Sequence, residues 1–243
     1  MSMAGVPQAP VELPAVVREL AGGDAVDPVW RNELGGITFR LSGGETTRYL
    51  KWQDYSELGP LARSHVNLRA EAERLTWAGE YTSVPQVLEA GENDDAAWLL
   101  TAGIRGLPAL HRRWRQEPET AVRAIATGLR HLHEALPVDA CPFLGGWAEA
   151  TGAQLPEPDS LVVCHGDPCV PNTLISAEGQ FAAHVDLGQL GVADRWADLA
   201  IASYSISWQV NFARSYDELF FATYGVEPDE KRLTFYRRLW DVS

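Results

Sequence analysis

Residues 161–191 read LVVCHGDPCVPNTLISAEGQFAAHVDLGQLG, and this stretch decides the fold. It holds two apolar runs typical of strands, and each run leads into an acidic residue, the first into Asp167 and the second into Asp186. Asn172 follows five residues after Asp167. Phosphoryl-transfer sites use an Asp to orient the attacking hydroxyl, an Asn five residues later for one magnesium ion and an Asp-x-Gly carboxylate for another. The spacing therefore favours a phosphoryl-transfer loop over the alternative, an acidic turn on the surface.

The size and composition of the chain are typical of a globular protein. Its 243 residues suffice for one large domain or two small lobes, and 46% of them are hydrophobic while 22% are charged. No apolar run approaches the roughly 20 residues of a membrane span, and the N-terminus lacks the basic and apolar segments of a signal peptide. We therefore expect a cytoplasmic protein without a membrane partner.

The net charge of -13 argues against nucleic-acid binding, because phosphate backbones attract basic surfaces. It favours a cationic small molecule as the partner. Cys141, Cys164 and Cys169 are odd in number and lack C-x-x-C spacing, so neither a structural disulfide nor a zinc site is expected. His131 and His133 lie two apart on a predicted helix and are not expected to share a metal ion. We expect a monomer or a weak dimer.

Strand and helix patterns divide the chain into four segments. Residues 1–12 are rich in Pro, Ala and Gly and predict a flexible arm. Residues 13–101 alternate short apolar runs with glycine turns, which predicts a small antiparallel β-sheet together with short helices. A hinge at 102–106 leads into residues 107–243, where helical patterns dominate apart from one hairpin. This segregation predicts an α+β fold with a β-rich N-terminal lobe and a mostly helical C-terminal lobe.

At 165–202 the chain reads HGDPCVPNTLI…HVDLGQLGVADRWADLAIA, and this signature resembles the aminoglycoside phosphotransferases, particularly the 3′-phosphotransferases that modify kanamycin and neomycin. Weaker similarity covers RYLKW at 48–52, EAERLTW at 71–77, LHEALPVDACPF at 132–143 and FYRRLWD at 235–241. The resemblance implies a bilobal fold of the protein-kinase type. It also implies MgATP-dependent transfer of the γ-phosphate to a hydroxyl of an aminoglycoside, with the 3′-hydroxyl as the first choice, which confers antibiotic resistance.

The resemblance implies a role for each polar residue of the central stretch. Asp167 would be the catalytic carboxylate that holds the acceptor hydroxyl in line with the γ-phosphate. Asn172 and Asp186 would bind Mg²⁺, since their oxygen atoms are hard donors. His165 is expected to be a structural histidine that is hydrogen-bonded inside the loop. Asp198 is expected to brace the loop without touching the substrate.

The N-terminal lobe would bind the nucleotide, ATP by preference, with GTP left open. Lys51 would neutralise the α- and β-phosphates and would be oriented by an ion pair with Glu71. Tyr49 lies two residues before Lys51, on the same side of the strand, and would stack on adenine. The remaining nucleotide contacts would come from a glycine turn and from the hinge: Gly35, Gly36, Ala102 and Ile104. Taken alone, Lys51 and Glu71 could also be a surface pair, and Tyr49 a core or edge aromatic.

The acceptor site needs carboxylates, because an aminoglycoside carries several ammonium groups. Besides Asp167, the candidates are Asp139, Glu149, Asp241 and the terminal carboxylate of Ser243. The resembling enzymes use C-terminal acids in this way, which favours the last two. The sequence therefore predicts an acidic acceptor site that includes the end of the chain.

Three features depart from the family pattern. The Gly35-Gly36 turn is not a full G-x-G-x-x-G, and Gln189 stands where the family commonly has an arginine that can reach phosphates. Only twenty residues, 144–163, separate CPF from CHGD, whereas the resembling enzymes have a longer interval that supplies walls of the antibiotic pocket. Two alternatives therefore stay open. One is a kinase of another small molecule, such as a macrolide, a peptide antibiotic or a choline-like amino alcohol, and the other is a nucleotide-binding module without turnover.

Overall fold

The computed structural model describes residues 5–44 and 46–242. The chain divides into two compact units. The first comprises Met1–Trp77 and Pro85–Ile104, and the second comprises Ala78–Val84 and Arg105–Ser243. Of the predicted arm, residues 1–4 lie outside the described residues, whereas Gly5 exchanges two backbone hydrogen bonds of 2.9 and 2.8 Å with Arg31. The arm is therefore anchored to the first unit at Gly5.

The first unit is built on a five-stranded antiparallel sheet in the order β1-β2-β3-β5-β4. Its strands are β1 (Ala25–Arg31), β2 (Ile37–Ser42), β3 (Arg48–Asp54), β4 (Val87–Glu92) and β5 (Ala96–Ala102). Alternate residues of β2 point inward, so that Ile37, Phe39 and Leu41 are buried with Leu50 of β3. Val17 of helix α1 (Ala15–Ala21) belongs to the same cluster. The core of this unit therefore lies between α1 and one face of the sheet.

Two further helices, α2 (Pro60–His65) and α3 (Leu68–Ala78), follow β3. The Asn67 side chain caps α3 by accepting a hydrogen bond from the Ala70 amide at 2.9 Å. Leu68, Ala72 and Leu75 are buried on one face of α3, as their spacing predicts. The six residues of α2 are too few to show a hydrophobic period, so the sequence does not predict that helix.

The second unit is mostly helical. Its helices are α4 (Arg112–Gln116), α5 (Pro118–Ala135), α6 (Trp147–Ala150), α7 (Arg195–Ser207), α8 (Asp217–Tyr224) and α9 (Glu230–Trp240). Helix α5 begins at Pro118, a residue favoured in the first turn, and Asp194 caps α7 by accepting a hydrogen bond from the Trp196 amide at 3.3 Å. Within the described residues, no helix combines the length and the hydropathy that crossing a bilayer would require.

Two small antiparallel sheets carry the stretch 161–191. Their strands are β6 (Leu107–Pro108), β7 (Leu161–Cys164), β8 (Thr173–Ile175), β9 (Phe181–His184) and β10 (Gly191–Asp194). The predicted hairpin is formed by β8 and β9, with β6 on the other edge of β8. The pairing of β7 with β10 corrects the expectation of a single hairpin. The sequence does not show β10 because it has only two apolar side chains, Val192 and Ala193, directly before a helix cap.

Candidate active site

Lys51 and Glu71 form an ion pair inside the first unit. Nζ of Lys51, on β3, lies 2.7 Å from Oε1 and 2.9 Å from Oε2 of Glu71, on α3. The Glu71 side chain is buried, whereas that of Lys51 is 26% exposed. A buried carboxylate is costly without a partner, so the two charges hold each other in place. The predicted pair therefore forms, with the Lys51 side chain reaching solvent.

Tyr49 and Gly103 lie together at the end of β3 and β5. The Gly103 amide donates to Thr47 O at 2.8 Å. A Cβ at Gly103 would lie 2.7 Å from Thr47 O and 3.3 Å from Cε2 of Tyr49. A larger residue would displace the strand or the ring, so glycine is required for this close approach. The half-buried Tyr49 ring therefore sits beside the predicted hinge.

The two predicted hinge residues differ in their backbone hydrogen bonds. The Ala102 amide donates to Gln86 O at 2.9 Å, which closes the end of the sheet. The Ile104 amide has no hydrogen-bond partner within residues 5–44 and 46–242. A half-buried backbone donor of this kind is available to a ligand with a suitable acceptor, such as a ring nitrogen of a nucleobase.

The Gly35-Gly36 turn between β1 and β2 is held by two side-chain amides. The Gly36 amide donates to Oδ1 of Asn32 at 2.7 Å, and Nδ2 of Asn32 donates to Oε1 of Gln53 at 3.1 Å. Nε2 of Gln53, which is buried, donates to Leu34 O at 3.0 Å. The sequence predicts this turn as a phosphate cover, and the structure adds that its Gly36 amide is already engaged. Asn32 and Gln53 are not apparent from the sequence, because they lie 21 residues apart.

In the second unit, the loop after β7 is shaped by one buried carboxylate. Oδ2 of Asp198, on α7, accepts the His165 amide at 2.6 Å, and Oδ1 accepts the Gly166 amide at 3.0 Å. Gly166 has a φ of 88°, and a Cβ there would overlap the backbone of Gln189. Only glycine meets both conditions. Asp198 thus has the bracing geometry that the resemblance implies.

His165 is buried and links the loop to the strand before Asp186. Its Nε2 lies 3.0 Å from Val185 O, and its Nδ1 accepts the Asp167 amide at 3.3 Å. A carbonyl oxygen can only accept, so Nε2 carries the proton and Nδ1 is the acceptor. The ring therefore makes only internal hydrogen bonds, which is a structural arrangement.

Asp167 is half-buried, and its Oδ1 has no hydrogen-bond partner within the described part of the chain. Burial and the charge of Asp186 raise the pKa of the Asp167 carboxyl, and the nearby Cys169 and His165 lower it to a lesser extent. An unpartnered buried acceptor is costly, which identifies Oδ1 as an atom that a ligand would satisfy. It can accept a hydrogen bond from a hydroxyl group.

Asn172 and Asp186 each offer a side-chain oxygen close to the loop in the chain. Nδ2 of Asn172 donates to Asp167 O at 2.8 Å, which leaves the amide oxygen as the atom for a cation. The backbone then connects them, since the Val185 amide donates to Asn172 O at 3.0 Å. Asp186 is exposed and has a φ of 65°, a conformation uncommon outside glycine that recurs at functional sites. The two side chains fit a hard cation such as Mg²⁺.

The described acceptor carboxylates lie in the second unit, each with its own local surroundings. Asp139 is exposed, Glu149 accepts the Gly146 amide at 2.8 Å at the start of α6, and Asp241 accepts the Tyr204 hydroxyl at 3.4 Å. Ser243 lies outside the described residues. No hydrogen bond between described residues joins Asp139, Glu149 or Asp241 to one another or to Asp167. Their place in an acceptor site therefore stays a prediction.

Two buried polar residues next to the loop, His133 and Tyr224, receive no role in the site from the sequence, which only argues against His133 as a metal ligand. Nε2 of His133 lies 3.0 Å from Oδ2 of Asp198, and its Nδ1 lies 2.8 Å from the Tyr224 hydroxyl. The signal that could have identified His133 is its position on α5, four residues after Leu129 on the buried stripe. A histidine on such a stripe must find partners in the core.

Comparisons with known proteins point in one direction. The model of the Phosphotransferase enzyme family matches residues 143–236. An aminoglycoside 3′-phosphotransferase of Streptomyces fradiae is 32% identical, covering 85% of this chain and 91% of that protein. A streptomycin 3″-kinase of Streptomyces griseus is 34% identical, covering 93% and 95%. The structure of an aminoglycoside phosphotransferase from Streptomyces rimosus, in complex with ADP and streptomycin, matches with a TM-score of 0.67 and 28% identity over 92% of this chain and 94% of that one. The predicted kinase-like α+β fold is confirmed.

Proposed function

Because the chain belongs to the aminoglycoside phosphotransferase family, we propose that it transfers the γ-phosphate of ATP to a hydroxyl of an aminoglycoside antibiotic, the 3′-hydroxyl, and so confers resistance. The observation that carries this proposal is Asp167 Oδ1, a buried carboxylate oxygen without a partner in the described residues. It lies on a loop whose backbone is fixed by Asp198. Such an oxygen suits a substrate hydroxyl.

Asp167 would act mainly by positioning. The acceptor oxygen forms a bond to the γ-phosphorus while the bond between that phosphorus and the bridging oxygen of ADP breaks. The hydroxyl proton passes to Asp167 late in the reaction, because the transition state is loose and needs alignment more than a strong base. A carboxylate held by a fixed loop meets that need.

The nucleotide would be bound by groups of the first unit. Lys51, fixed by Glu71, would neutralise the α- and β-phosphate oxygens. The Ile104 amide would donate to the adenine edge, and Tyr49 would stack on the ring. The predicted contribution of Ala102 would come from its carbonyl oxygen, since its amide is bonded within the sheet.

Mg²⁺ would be held by the side-chain oxygens of Asn172 and Asp186. When bound, the ion neutralises phosphate charge and orients the transferred group. The residues fit this ion because both offer oxygen and because the Asn172 amide nitrogen is already bonded to the loop. In this account Asp167 remains available to the acceptor.

The acceptor would be recognised through its cationic groups. The griseus relative is named for the 3″ position of streptomycin and the fradiae relative for the 3′ position, so the names of the related proteins differ in the hydroxyl. Asp139, Asp241 and Ser243 remain proposed contacts. Glu149 would have to release the Gly146 amide to contribute. We expect the enzyme to act in the cytoplasm as a monomer or weak dimer.

A panel assay tests the proposal. ADP release is measured with MgATP or MgGTP and each of kanamycin, neomycin, streptomycin, erythromycin and choline. The expected result is turnover with kanamycin and neomycin, and coupling of phosphorus to the 3′ proton in the product identifies the hydroxyl. Turnover with streptomycin alone would contradict the assignment of the 3′-hydroxyl and indicate that another hydroxyl is modified. Turnover with erythromycin or choline alone, or a thermal shift with MgATP but no ADP from any acceptor, would contradict the aminoglycoside assignment.

A further inference from the structure

Three buried side chains from three helices of the second unit form a hydrogen-bonded chain that ends at the loop backbone. They are Tyr224 of α8, His133 of α5 and Asp198 of α7, and we call them the helix brace. The Tyr224 hydroxyl lies 2.8 Å from His133 Nδ1, and His133 Nε2 lies 3.0 Å from Asp198 Oδ2. Each residue is less than a tenth exposed. The helix brace is therefore shielded from water.

The direction of the hydrogen bond between His133 and Asp198 follows from the chemistry of the Asp198 carboxylate. An ionised carboxylate can only accept, so Nε2 of His133 carries a proton and donates it to Asp198. Nδ1 of His133 is then hydrogen-bonded to the Tyr224 hydroxyl, a group that can donate or accept. Burial raises the pKa of Asp198, but the hydrogen bonds from His133 and the Gly166 amide outweigh it and hold that pKa below its ordinary value. Asp198 thus fixes the proton on Nε2 of His133, and the Tyr224 hydroxyl occupies the other ring nitrogen.

Cys164 lies near the helix brace, but the three residues do not form a metal site. Its sulfur, His133 and Asp198 form a group of three possible metal donors. However, the thiol donates to Asp194 O at 3.5 Å, and burial raises its pKa. His133 and Asp198 are bonded to each other, so the atoms that could bind a metal ion already have partners. The arrangement is a hydrogen-bond chain.

We infer that His133 and Tyr224 are positioning residues for phosphoryl transfer. They hold Asp198 in the orientation in which both of its oxygens accept loop amides, from His165 and from Gly166. Asp167 follows directly on the chain, so the orientation of Asp198 sets where its carboxylate lies. The inference rests on the proposed function and adds two residues that do not touch the reacting groups.

Substitutions that remove single hydrogen bonds test the inference by steady-state kinetics. Tyr224→Phe removes only the hydroxyl, His133→Gln keeps an N–H near the position of Nε2, and His133→Leu removes it. A misplacement of about 1 Å costs on the order of 100-fold in rate, so we expect His133→Leu to lower kcat about 100-fold and Tyr224→Phe about 5-fold. KM for MgATP should stay within about twofold, since the helix brace contacts no nucleotide. His133→Gln should recover most of the kcat lost in His133→Leu.

Matched controls come from the same elements. Tyr216→Phe removes the hydroxyl of a buried tyrosine at the start of α8, and His131→Leu changes an exposed histidine of α5. Both should keep the kcat of the unaltered enzyme. A kcat for His133→Leu within twofold of that value, or an equal loss in His133→Gln and His133→Leu, would overturn the inference.

Hydrogen exchange supplies a readout that needs no acceptor. In His133→Leu, peptides covering 165–170 should exchange at least 10-fold faster, while peptides covering β3 should be unchanged, because only the loop loses its support. If His133→Leu folds and the hydrogen exchange of peptides 165–170 is unchanged, the inference about the helix brace is overturned, whereas the proposed function is not. Failure of the unaltered enzyme to phosphorylate any aminoglycoside would overturn the proposed function alone.

Discussion

Asp167 combines a fixed backbone with an unpartnered side-chain oxygen, and this separates its role from nucleotide binding. Asp167→Asn keeps the shape of the side chain but removes its charge and its ability to take a proton. We expect kcat to fall by about 10²- to 10⁴-fold, the usual contribution of a positioned base. The thermal shift produced by MgADP should be retained, because the nucleotide contacts lie elsewhere.

Asp139→Asn is the control for this substitution, since Asp139 is an exposed carboxylate of the same unit. It should change KM for the acceptor at most. An Asp167→Asn enzyme that keeps a tenth of the normal kcat would contradict the assigned role of Asp167.

The nucleotide role of Lys51 can be tested against the only other lysine of the chain, Lys231. Lys51→Met removes the ammonium that Glu71 holds, and leaves Glu71 as a buried carboxylate without that partner. We expect the affinity for MgADP, measured by calorimetry, to fall at least about 10-fold, equivalent to roughly 1.4 kcal/mol of binding free energy. Lys231→Met, at an exposed position of α9, should bind MgADP normally. Equal affinities of the two variants for MgADP would contradict a role of Lys51 in nucleotide binding.

The sequence predicts the contacts of residues that belong to a family motif. It does not predict the contacts of residues whose partners are brought close by tertiary packing. The Lys51 and Glu71 pair and the loop contact of Asp198 are implied by the resemblance to the family. His133 and Gln53 have no such pattern, because each is bonded to a residue brought close only by the tertiary fold. Local periodicity cannot report such contacts.

At the level of elements, the loop between β7 and β8 depends on the glycine at position 166. Gly166→Ala would place a Cβ against the Gln189 backbone and would also strain a positive φ. We expect the free energy of unfolding to fall by about 3 kcal/mol or more, from the strain of about 1 kcal/mol and the overlap of about 2 kcal/mol. Urea denaturation measures this change.

Gly152→Ala is the matched control for the glycine substitution. Gly152 also has a positive φ, of 71°, but a Cβ there meets no atom within 4 Å. Its cost should be about 1 kcal/mol, from backbone strain alone. If both variants lose the same stability, the close approach of Gln189 does not constrain the loop.

Helix α9 is joined to strand β10 by a buried ion pair. Nη1 of Arg232 lies 2.6 Å from Oδ2 of Asp194, and the Tyr236 hydroxyl donates to the same oxygen at 3.2 Å. Arg232→Ala leaves the buried Asp194 carboxylate without its cation, so we expect a loss of roughly 3 kcal/mol in unfolding free energy. Thermal and urea denaturation measure it.

Arg40→Ala provides the comparison, because Arg40 forms a 2.9 Å pair with Asp27 in which both side chains are about half exposed. Screening by solvent makes such a pair nearly neutral, and we expect no measurable change. If Arg232→Ala loses no more unfolding free energy than Arg40→Ala, the burial of Asp194 does not determine the stability of the ion pair.

The short interval 144–163 also finds its explanation at this level. Trp147 of α6 packs edge-on against Tyr236 and Trp240 of α9, with ring centroids 6.3 and 5.0 Å apart. This aromatic contact joins the segment to α9, and hydrogen bonds from Arg195 and Trp196 to Asp159 join it to α7. The sequence could not show the aromatic contact, because a single tryptophan among glycines has no helical period.

For the whole molecule, the class of the fold was predictable and the division of the chain was less so. Strand patterns precede residue 102 and helical patterns follow it, which is enough to predict an α+β protein. Residues Ala78–Val84 belong to the second unit although they lie between a helix and a strand of the first. Composition does not reveal this, because a contact such as the hydrogen bond from the His184 amide to Ser83 O joins residues far apart in the sequence.

The position of Lys51 has a consequence for covalent chemistry. The chain has two side-chain amines, on Lys51 and Lys231. An acyl phosphate of ATP transfers its acyl group to a nearby amine and releases ATP, so a nucleotide held beside Lys51 would modify that residue and spare Lys231. Peptide mass spectrometry should find the amide on Lys51, and excess MgADP should suppress it. Equal labelling of the two lysines would contradict nucleotide binding beside Lys51.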